Sequence, residues 1–464
     1  MFNTYRIIHF VGIGGVGMSG IAEVLRNLGY EVTGSDVKES ETTRRLAAMG
    51  IRISIGHDRA HVGHAHVVVI SSAVPQTNPE VVEARRRSIP VIPRAEMLAE
   101  LGRLKYGVLV AGAHGKTTTT SLIATILAEG GKDPTVVIGG KLKAIGSNAK
   151  LGQGDFLVAE ADESDGSFLK LNPVIAVITN IDREHMEFFR DMENLKRAFI
   201  TFMNKVPFYG VSIVCLENEH VREVLPFVER RVLTYGFSES ADFCARDIRR
   251  SGTMMIFEAL FRGEPLGTFS IPVPGVHNVL NGLAAIAAAR EVQIPLPAIA
   301  DAMRGFSGIQ RRFELKGEVR GIRVYDDYGH HPAEVRATLK AARECFPDRK
   351  LSVLFQPHRY TRTRDHLDEF AESFGDCDVL YLMDIYPAGE RPIEGVDSER
   401  LLGAMNARGL KKVVRVRDKR DIIGRLLSDL KPGDILMTLG AGNVYAIGEE
   451  LLRELQASET VLRA

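Results

Sequence analysis

The stretch Gly112–Thr120, GAHGKTTTT, follows directly on the apolar run YGVLV. A glycine, then a lysine, then a row of hydroxyls at a strand-to-helix junction is the composition of a loop that holds phosphate. The backbone N–H groups of Gly112, Ala113, His114, Gly115, Lys116, Thr117 and Thr118 can wrap phosphate oxygens. The Lys116 ammonium can reach the outer phosphates, and Thr117 can ligate Mg2+. The usual spacing asks for a further glycine at position 110, where the chain has Val110, so the loop is shortened. A glycine-capped helix with an exposed lysine would leave the G-K-T order and the preceding strand unexplained. ATP binding is therefore the favoured reading.

A second glycine pattern stands near the start. Gly12, Gly14 and Gly17 make GIGGVG between an apolar strand and a helical pattern. Asp36 ends the next strand, close to the offset of about 20 residues expected of a ribose-binding carboxylate. Glycine lets backbone approach a pyrophosphate, and the helix N-terminus meets it with partial positive charge. A nicotinamide cofactor and a nucleotide-sugar diphosphate both satisfy this loop, which by itself does not separate them. Two such loops in one chain argue for two phosphorylated ligands, whereas a dehydrogenase needs one. The balance tilts towards an ATP-consuming enzyme whose other substrate carries a nucleotide.

Nucleotide-bound Mg2+ takes oxygen ligands. DFLVAE places Glu160 at the end of an apolar strand, where an open α/β sheet presents its site. Asp162, Glu163 and Asp165, just beyond, read as surface or capping carboxylates. His185 follows another apolar run, VIAVITN, but a lone histidine is usually structural and does not stand as a ligand unaided.

These groups need a scaffold. RIIHFVG, YEVTGSD, HVVVISSAV and IPVI read as strands, and GVGMSGIAEVLRNLG as a helix stopped at Gly29. Strands alternating with helices imply a parallel sheet with crossover helices. A second segment repeats strand, glycine turn and helix around Lys116. From about Phe243 to Pro274 its texture changes to short alternating stretches, the pattern of antiparallel hairpins. A third begins near GIQRRFELKG, with strands IRVYDDY, LSVLFQ, DVLYLMDIY and DILMTLG. The reading is an α/β chain of three domains, 1–104, 105–309 and 310–464.

Composition narrows the classes. At 464 residues the chain is too long for one ordinary core. Lys+Arg and Asp+Glu are both 59, so no global field favours nucleic acid or an anionic membrane. Local cations and backbone N–H groups must build the phosphate sites instead. The four cysteines form no C-x-x-C pair, which argues against a disulfide scaffold or zinc ribbon. The start MFNTYRIIHFVGIGG lacks the features of a signal peptide, and no apolar run approaches the ~18–20 residues that span a bilayer. The expected address is the cytoplasm.

Eight stretches taken together resemble the Mur ligase family: HFVGIGGVGMSGIA, GAHGKTTTT, AEADESDGSFL, TNIDREHME, PGVHNVLNGLAAIA, GIQRRFE, DDYGHHPAE and FQPHRYTRT. They run through all three segments in the family's order. The resemblance implies a Rossmann-like N-terminal domain for the UDP end of a sugar nucleotide, a P-loop ATPase-like central domain and a Rossmann-like C-terminal domain that closes over both. It implies ATP and Mg2+ as cofactors, UDP-N-acetylmuramate and L-alanine as substrates, and a place in peptidoglycan-precursor synthesis. The sugar-nucleotide site is then Gly12, Gly14, Gly15, Gly17, Asp36 and Ser71. Lys116 and Thr117 match the phosphate lysine and the metal-binding hydroxyl, and Glu160 and His185 match magnesium ligands. His277, Asn278 and Asn281 match positions near adenine and ribose, and Arg312 an arginine facing ATP. Tyr328, His330, Arg359 and Arg362 match the amino-acid end. Ala113 and Gly329 depart from the family's usual threonine and alanine. A ligase that attaches a recycled tripeptide to the same sugar is the nearest relative in kind.

The chemistry follows from the substrates implied. A carboxylate acylates an amine only after its oxygen becomes a leaving group, which an acyl phosphate supplies. Lys116 and Mg2+ would draw charge from the γ-phosphate while an anionic carboxylate approaches. Arg359 and Arg362, three apart, would share a face if both lie in the helix, and could clamp the amino acid's carboxylate. His330 is either the group that positions the amine and takes its proton, or a cap before Pro332. A monomer or a homodimer is expected. Two rival classes stay open, a nicotinamide-dependent oxidoreductase using the first loop and a non-catalytic, nucleotide-gated interaction protein.

Overall fold

The computed structural model describes residues 6–71, 73–103, 105–142, 147–410, 412–416 and 419–463. The first five residues and Leu104, where one expected domain boundary falls, lie outside that set.

The first sheet takes strands β1 (Ile7–Val11), β2 (Glu31–Asp36), β3 (Arg52–Ile55), β4 (Val67–Ile70) and β5 (Val91–Pro93), in the order β3-β2-β1-β4-β5. Every pairing is parallel. Chain order reverses at β1, whose carboxyl end meets those of β2 and β4, the place where such sheets bind ligands.

The second sheet has ten strands: β6 (Tyr106–Ala111), β7 (Thr135–Leu142), β8 (Ser147–Lys150), β9 (Phe156–Glu160), β10 (Ile175–Ile178), β11 (Val211–Cys215), β12 (Val232–Gly236), β13 (Phe243–Ser251), β14 (Met254–Phe261) and β15 (Glu264–Ile271). Their order is β15-β14-β13-β12-β11-β10-β6-β9-β7-β8. Apolar runs such as IAVI and VSIVC are fully buried, as central parallel strands require. β13, β14 and β15 are joined by two-residue turns, the hairpins expected of that stretch. β6 lies between β9 and β10, so its loop opens where the ends of both neighbours supply side chains.

The third sheet holds β16 (Glu314–Val319), β17 (Ile322–Asp327), β18 (Leu351–Phe355), β19 (Val379–Leu382), β20 (Val413–Arg415) and β21 (Ile435–Leu439), in the order β16-β17-β21-β18-β19-β20. Only the edge strand β16 is antiparallel, a hairpin with β17 that is not among the strands read from the sequence.

Three sheets form two compact units. One is the chain up to Arg249 with Ile256–Pro272 and Asn278–Ser307; the other is Arg250–Met255, Val273–His277 and the chain from Gly308. The first two sheets fall together because they share a core. Ile21 and Leu25 of the helix Val16–Asn27, with Leu98 and Leu101, join Leu109, Val137, Ala149 and Leu157 of the second sheet in one buried cluster. Asn148 on β8 adds hydrogen bonds from its side-chain amide to the Val16 carbonyl and the Ser19 hydroxyl. The apolar helix therefore serves two sheets at once, which periodicity along one segment does not reveal.

Candidate functional site

The second glycine loop runs from the end of β6 into the helix Lys116–Glu129. Gly112 and Gly115 have φ of 129° and 83°, both left-handed. A Cβ on Gly112 would stand 2.2 Å from Thr179 Oγ1, and one on Gly115 2.7 Å from Asn281 Oδ1. Both positions thus need glycine for conformation and for space. The loop is pinned from β10: Asn180 Oδ1 accepts from the His114 N–H at 2.9 Å, and Thr179 Oγ1 donates to the His114 carbonyl at 2.6 Å. Asn281 accepts from Thr119 Oγ1 at 3.1 Å and donates to Asn278 Oδ1 at 3.0 Å, so two of the expected adenine-side residues brace the helix start.

Lys116 folds back over its own loop. Its Nζ donates to the carbonyls of Gly112 (2.5 Å) and Ala113 (3.3 Å) and to Glu163 Oε1 (2.8 Å). Burial disfavours its charge, but Glu163, Asp162 and Glu184 outweigh burial and raise its pKa, so it stays an ammonium. Burial likewise raises the Glu163 pKa, with Lys116 opposing it and Asp162 reinforcing it. The Lys116 shift thus comes from its acidic neighbours, and the Glu163 shift chiefly from burial.

Glu163 corrects the sequence reading. It is 2% exposed, not a surface carboxylate, and it accepts from the Lys116 ammonium. Asp162 and Asp165 do act locally, accepting from the N–H groups of Ser164 and Ser167. Glu160 places an oxygen 2.7 Å from the Gly139 N–H. The donor atoms that converge are those of Glu163, Glu184 and His185, all within 4.8 Å of one another. Glu163 Oε2 is buried without a hydrogen-bond partner, an oxygen that a divalent cation would satisfy. His185 is held at φ 60°, and a non-glycine residue in that region is the kind of strain that collects at functional sites. The group fits Mg2+, and Thr117 is the second residue of the adjoining helix.

At the first loop Gly12 has φ 79°. Its N–H and that of Ile13 donate to the Ser35 carbonyl at 2.8 and 3.0 Å. Asp36 Oδ2 accepts from the Gly14 N–H at 2.8 Å, so this carboxylate shapes the loop. Gly15 caps the helix Val16–Asn27, and Ser71 Oγ lies 3.8 Å from where a Gly12 Cβ would be. Beneath them is a network the sequence reading missed. Glu80, fully buried, takes hydrogen bonds with His9 Nε2 (2.6 Å), Ser35 Oγ (2.8 Å) and His57 Nδ1 (2.7 Å). Burial acts to raise the Glu80 pKa, but these bonds prevail and lower it. The histidines lie 48 residues apart in sequence and nothing in their spacing announces a common partner.

The third sheet carries its own cluster. Tyr328 and His330 follow β17, and their rings meet edge-on at 5.3 Å. His330 Nδ1 lies 3.1 Å from the Tyr328 carbonyl. The cap of the helix Pro332–Cys345 is His331, whose side chain accepts from the Ala333 N–H, so His330 is not the capping residue. Arg312 lies over the Tyr328 ring at 5.3 Å and 3.8 Å from Glu334 Oε1. Neighbouring Arg311 is committed to Asp326 at 3.0 Å and to the carbonyls of Gly440 and Gly442.

Arg359 and Arg362 do not share a helical face. The helix is Tyr360–Asp365, and Arg359 precedes it at φ 73° with its N–H on the Tyr386 carbonyl at 2.8 Å. Arg362 lies in the helix with Nη1 3.4 Å from His358 Nδ1. His358, which the sequence reading passed over, stacks on Tyr386 at 5.6 Å and faces His330 at 5.9 Å. Burial first, then His330, Arg362 and Arg359, lower its pKa to about 3, which keeps it neutral. His277 is the second residue of the helix Val276–Glu291 and is exposed.

Family models match the chain in three consecutive stretches. The Mur ligase family catalytic domain matches residues 7–106, the Mur ligase middle domain 110–289, and the Mur ligase glutamate ligase domain 311–442. The chain belongs to the Mur ligase family. It is 56% identical over 456 residues to a UDP-N-acetylmuramate–L-alanine ligase of Geotalea uraniireducens, covering 98% of this chain and 99% of the relative. A ligase of the same name from Anaeromyxobacter dehalogenans is 57% identical over 449 residues, covering 97% and 98%. Among solved structures, a UDP-N-acetylmuramate–alanine ligase from Thermotoga maritima superimposes with a TM-score of 0.84 at 28% identity, covering 97% of this chain and 99% of that one. A murein peptide ligase from Psychrobacter arcticus gives 0.73 at 26% identity, covering 97% and 98%.

Proposed function

We infer that the chain is an ATP-dependent ligase that joins L-alanine to the carboxylate of UDP-N-acetylmuramate, releasing ADP and phosphate, in peptidoglycan-precursor synthesis. One observation carries the reading: identity of 56% along 98% of the chain to ligases named for that reaction. Both phosphate-type loops lie within family-matched stretches, in line with a reaction that has two phosphorylated substrates. The same full-length match favours alanine over a recycled tripeptide as the amine.

Lys116, held as an ammonium, neutralises the γ-phosphate as the muramate carboxylate oxygen attacks phosphorus. The β,γ-bridging oxygen leaves with ADP, and the carboxylate becomes an acyl phosphate. Glu163, Glu184 and His185, with Thr117 and the Glu160 expected from the sequence, would hold Mg2+, which would supply charge neutralisation for the phosphates. The alanine amine then attacks the acyl carbon, phosphate leaves, and a proton is lost from nitrogen. His330 is the group we assign to take or steer that proton. Arg359 and Arg362 hold the alanine carboxylate, and Tyr328 lines the same end. ATP contacts fall to residues 112–118 with His277, Asn278, Asn281 and Arg312, and the sugar nucleotide to Gly12, Gly14, Gly15, Gly17, Asp36 and Ser71.

The working domains are 1–104, 105–309 and 310–464, acting in the cytoplasm as a monomer or homodimer. Among the described residues no helix is long and apolar enough to cross a membrane. The test is phosphate release from ATP with a panel of amines. It should require UDP-N-acetylmuramate together with L-alanine. Release driven by L-alanyl-γ-D-glutamyl-meso-diaminopimelate and not by alanine would transfer the assignment to the tripeptide ligase.

A further inference from the structure

The first loop, residues 12–17, carries no charged side chain, although the ligand assigned to it brings a diphosphate. A cation lies across it from another element. Arg94 opens the helix Arg94–Gly102, which follows β5. A Cβ placed on Gly17 would stand 2.8 Å from Arg94 Nη1, 3.0 Å from its Cδ and 3.1 Å from its Cζ. The third glycine of the pattern is thus the space in which this guanidinium lies. The other terminal nitrogen faces elsewhere: Nη2 donates to Asp162 Oδ2 at 3.0 Å.

Asp162 is one residue from Glu163, the partner of Lys116. One planar group therefore addresses the first helix's N-terminal turn with Nη1 and the acidic loop beside Lys116 with Nη2. Guanidinium carries five donors in a fixed fork, so it can serve two anions simultaneously in a way that an ammonium on a flexible stem does not.

We propose that Arg94 is a positioning residue that couples the two nucleotide sites. Its Nη1 takes the diphosphate of the sugar nucleotide at the start of the helix Val16–Asn27, while its Nη2 keeps Asp162, and with it the Glu163–Lys116 pair, in place for ATP. The inference rests on the functional reading above. The guanidinium is a rigid fork, so a ligand that fixes one end of it fixes the other end as well. Coupling is positive, and by linkage it is the same whichever ligand is added first.

The experiment is calorimetric titration of the full chain with a non-hydrolysable ATP analogue and Mg2+, with and without saturating UDP-N-acetylmuramate. The wild-type chain should bind the analogue more tightly when the sugar nucleotide is present, by a factor in the usual range of about 5 to 150. In Arg94→Gln the ratio should fall to within about twofold of one. Asp162→Asn, which opens the same link from its other end, should do likewise and carries the test if Arg94→Gln does not fold. Arg94→Lys retains the charge without the fork and should recover sugar-nucleotide affinity in part but not the ratio. A merely structural arginine would shift single-ligand affinities and leave the ratio alone. A wild-type ratio of one, or a wild-type ratio surviving in Arg94→Gln and Asp162→Asn, overturns the inference by itself. A wild-type chain that does not bind UDP-N-acetylmuramate overturns the functional reading and the inference with it.

Discussion

The two glycine loops of this chain solve the same problem with opposite means. The loop at residues 112–116 brings its own cation and shields it: Lys116 lies on Glu163 and on two carbonyls of its own turn. The loop at residues 12–17 has no charge of its own and is shaped by a carboxylate, Asp36, on the Gly14 N–H. Below it, Glu80 gathers His9, Ser35 and His57 into a buried polar network, whereas the second loop is braced by neutral side chains, Thr179, Asn180 and Asn281. For a loop whose nucleotide is cleaved, a cation held near the bond that breaks supplies charge neutralisation. A loop whose nucleotide is only held needs backbone donors and a rigid floor.

That contrast is open to breakage by substitution. The largest effect belongs to Lys116→Ala, which should lower kcat by at least about a thousandfold, the scale of losing a main electrostatic stabiliser. UDP-N-acetylmuramate binding, measured by calorimetry, should persist within a few-fold. Parallel loss of both would mean that the loops are not separate.

Next is Gly112→Ala. Its Cβ would meet Thr179 Oγ1 at 2.2 Å and backbone of Asn180 at 2.7 and 2.9 Å, on a left-handed φ. A cost of several kcal/mol, on the order of 3 or more, is expected in urea unfolding, with ATP binding lost. Gly15→Ala in the other loop should be mild by comparison, because Gly15 has φ −60° and the nearest contact for its Cβ is 3.4 Å.

Glu80→Gln probes the floor of the first loop. Leaving three polar partners without their buried carboxylate should cost about 3 kcal/mol. The sugar-nucleotide KM should rise more than kcat falls. The pH dependence has a definite sign. The Glu80 pKa is lowered from 4.5 in the folded chain. Its contribution is therefore complete above pH 4.5 and is lost as pH falls through the lower folded value. Thermal melts taken from pH 6 downwards should lose stability less steeply in Glu80→Gln than in the wild-type chain below pH 4.5.

The smallest expected effect is that of Asp165→Ala. Its carboxylate accepts the Ser167 N–H, and removing a local cap of this sort costs about 1 kcal/mol. Turnover should stay near wild type. If Asp165→Ala instead matched Glu163→Ala in lost activity, the assignment of Glu163 as the functional acid of that loop would be wrong.

Much of this was legible in the sequence for physical reasons. Apolar runs of five or six residues ending in glycine turns gave the parallel strands and the loops at their carboxyl ends, because buried strands and left-handed turns leave local marks. The hairpins β13 to β15 were legible from alternation. What local pattern did not carry was partnership across distance. Glu163 sits in the run ADESD among other acids, and burial alone distinguishes it from Asp162 and Asp165. His9, His57 and Glu80 meet only because β1, the turn after β3 and the helix Pro79–Arg86 converge. Arg359 and Arg362 read as a helical pair, yet the left-handed turn at Arg359 shifts the helix start by one residue and separates them. The shared core of the first two sheets escaped notice for the same reason, since a helix packed on two sides differs little in sequence from one packed on one.

The central claim is that the chain holds two phosphorylated ligands at once, in separate cradles. Calorimetry with a non-hydrolysable ATP analogue and UDP-N-acetylmuramate tests it most directly. Each should bind at one equivalent per chain in the presence of the other, and Lys116→Ala should remove only the first. A single equivalent in total, with either ligand expelling the other, would contradict the account.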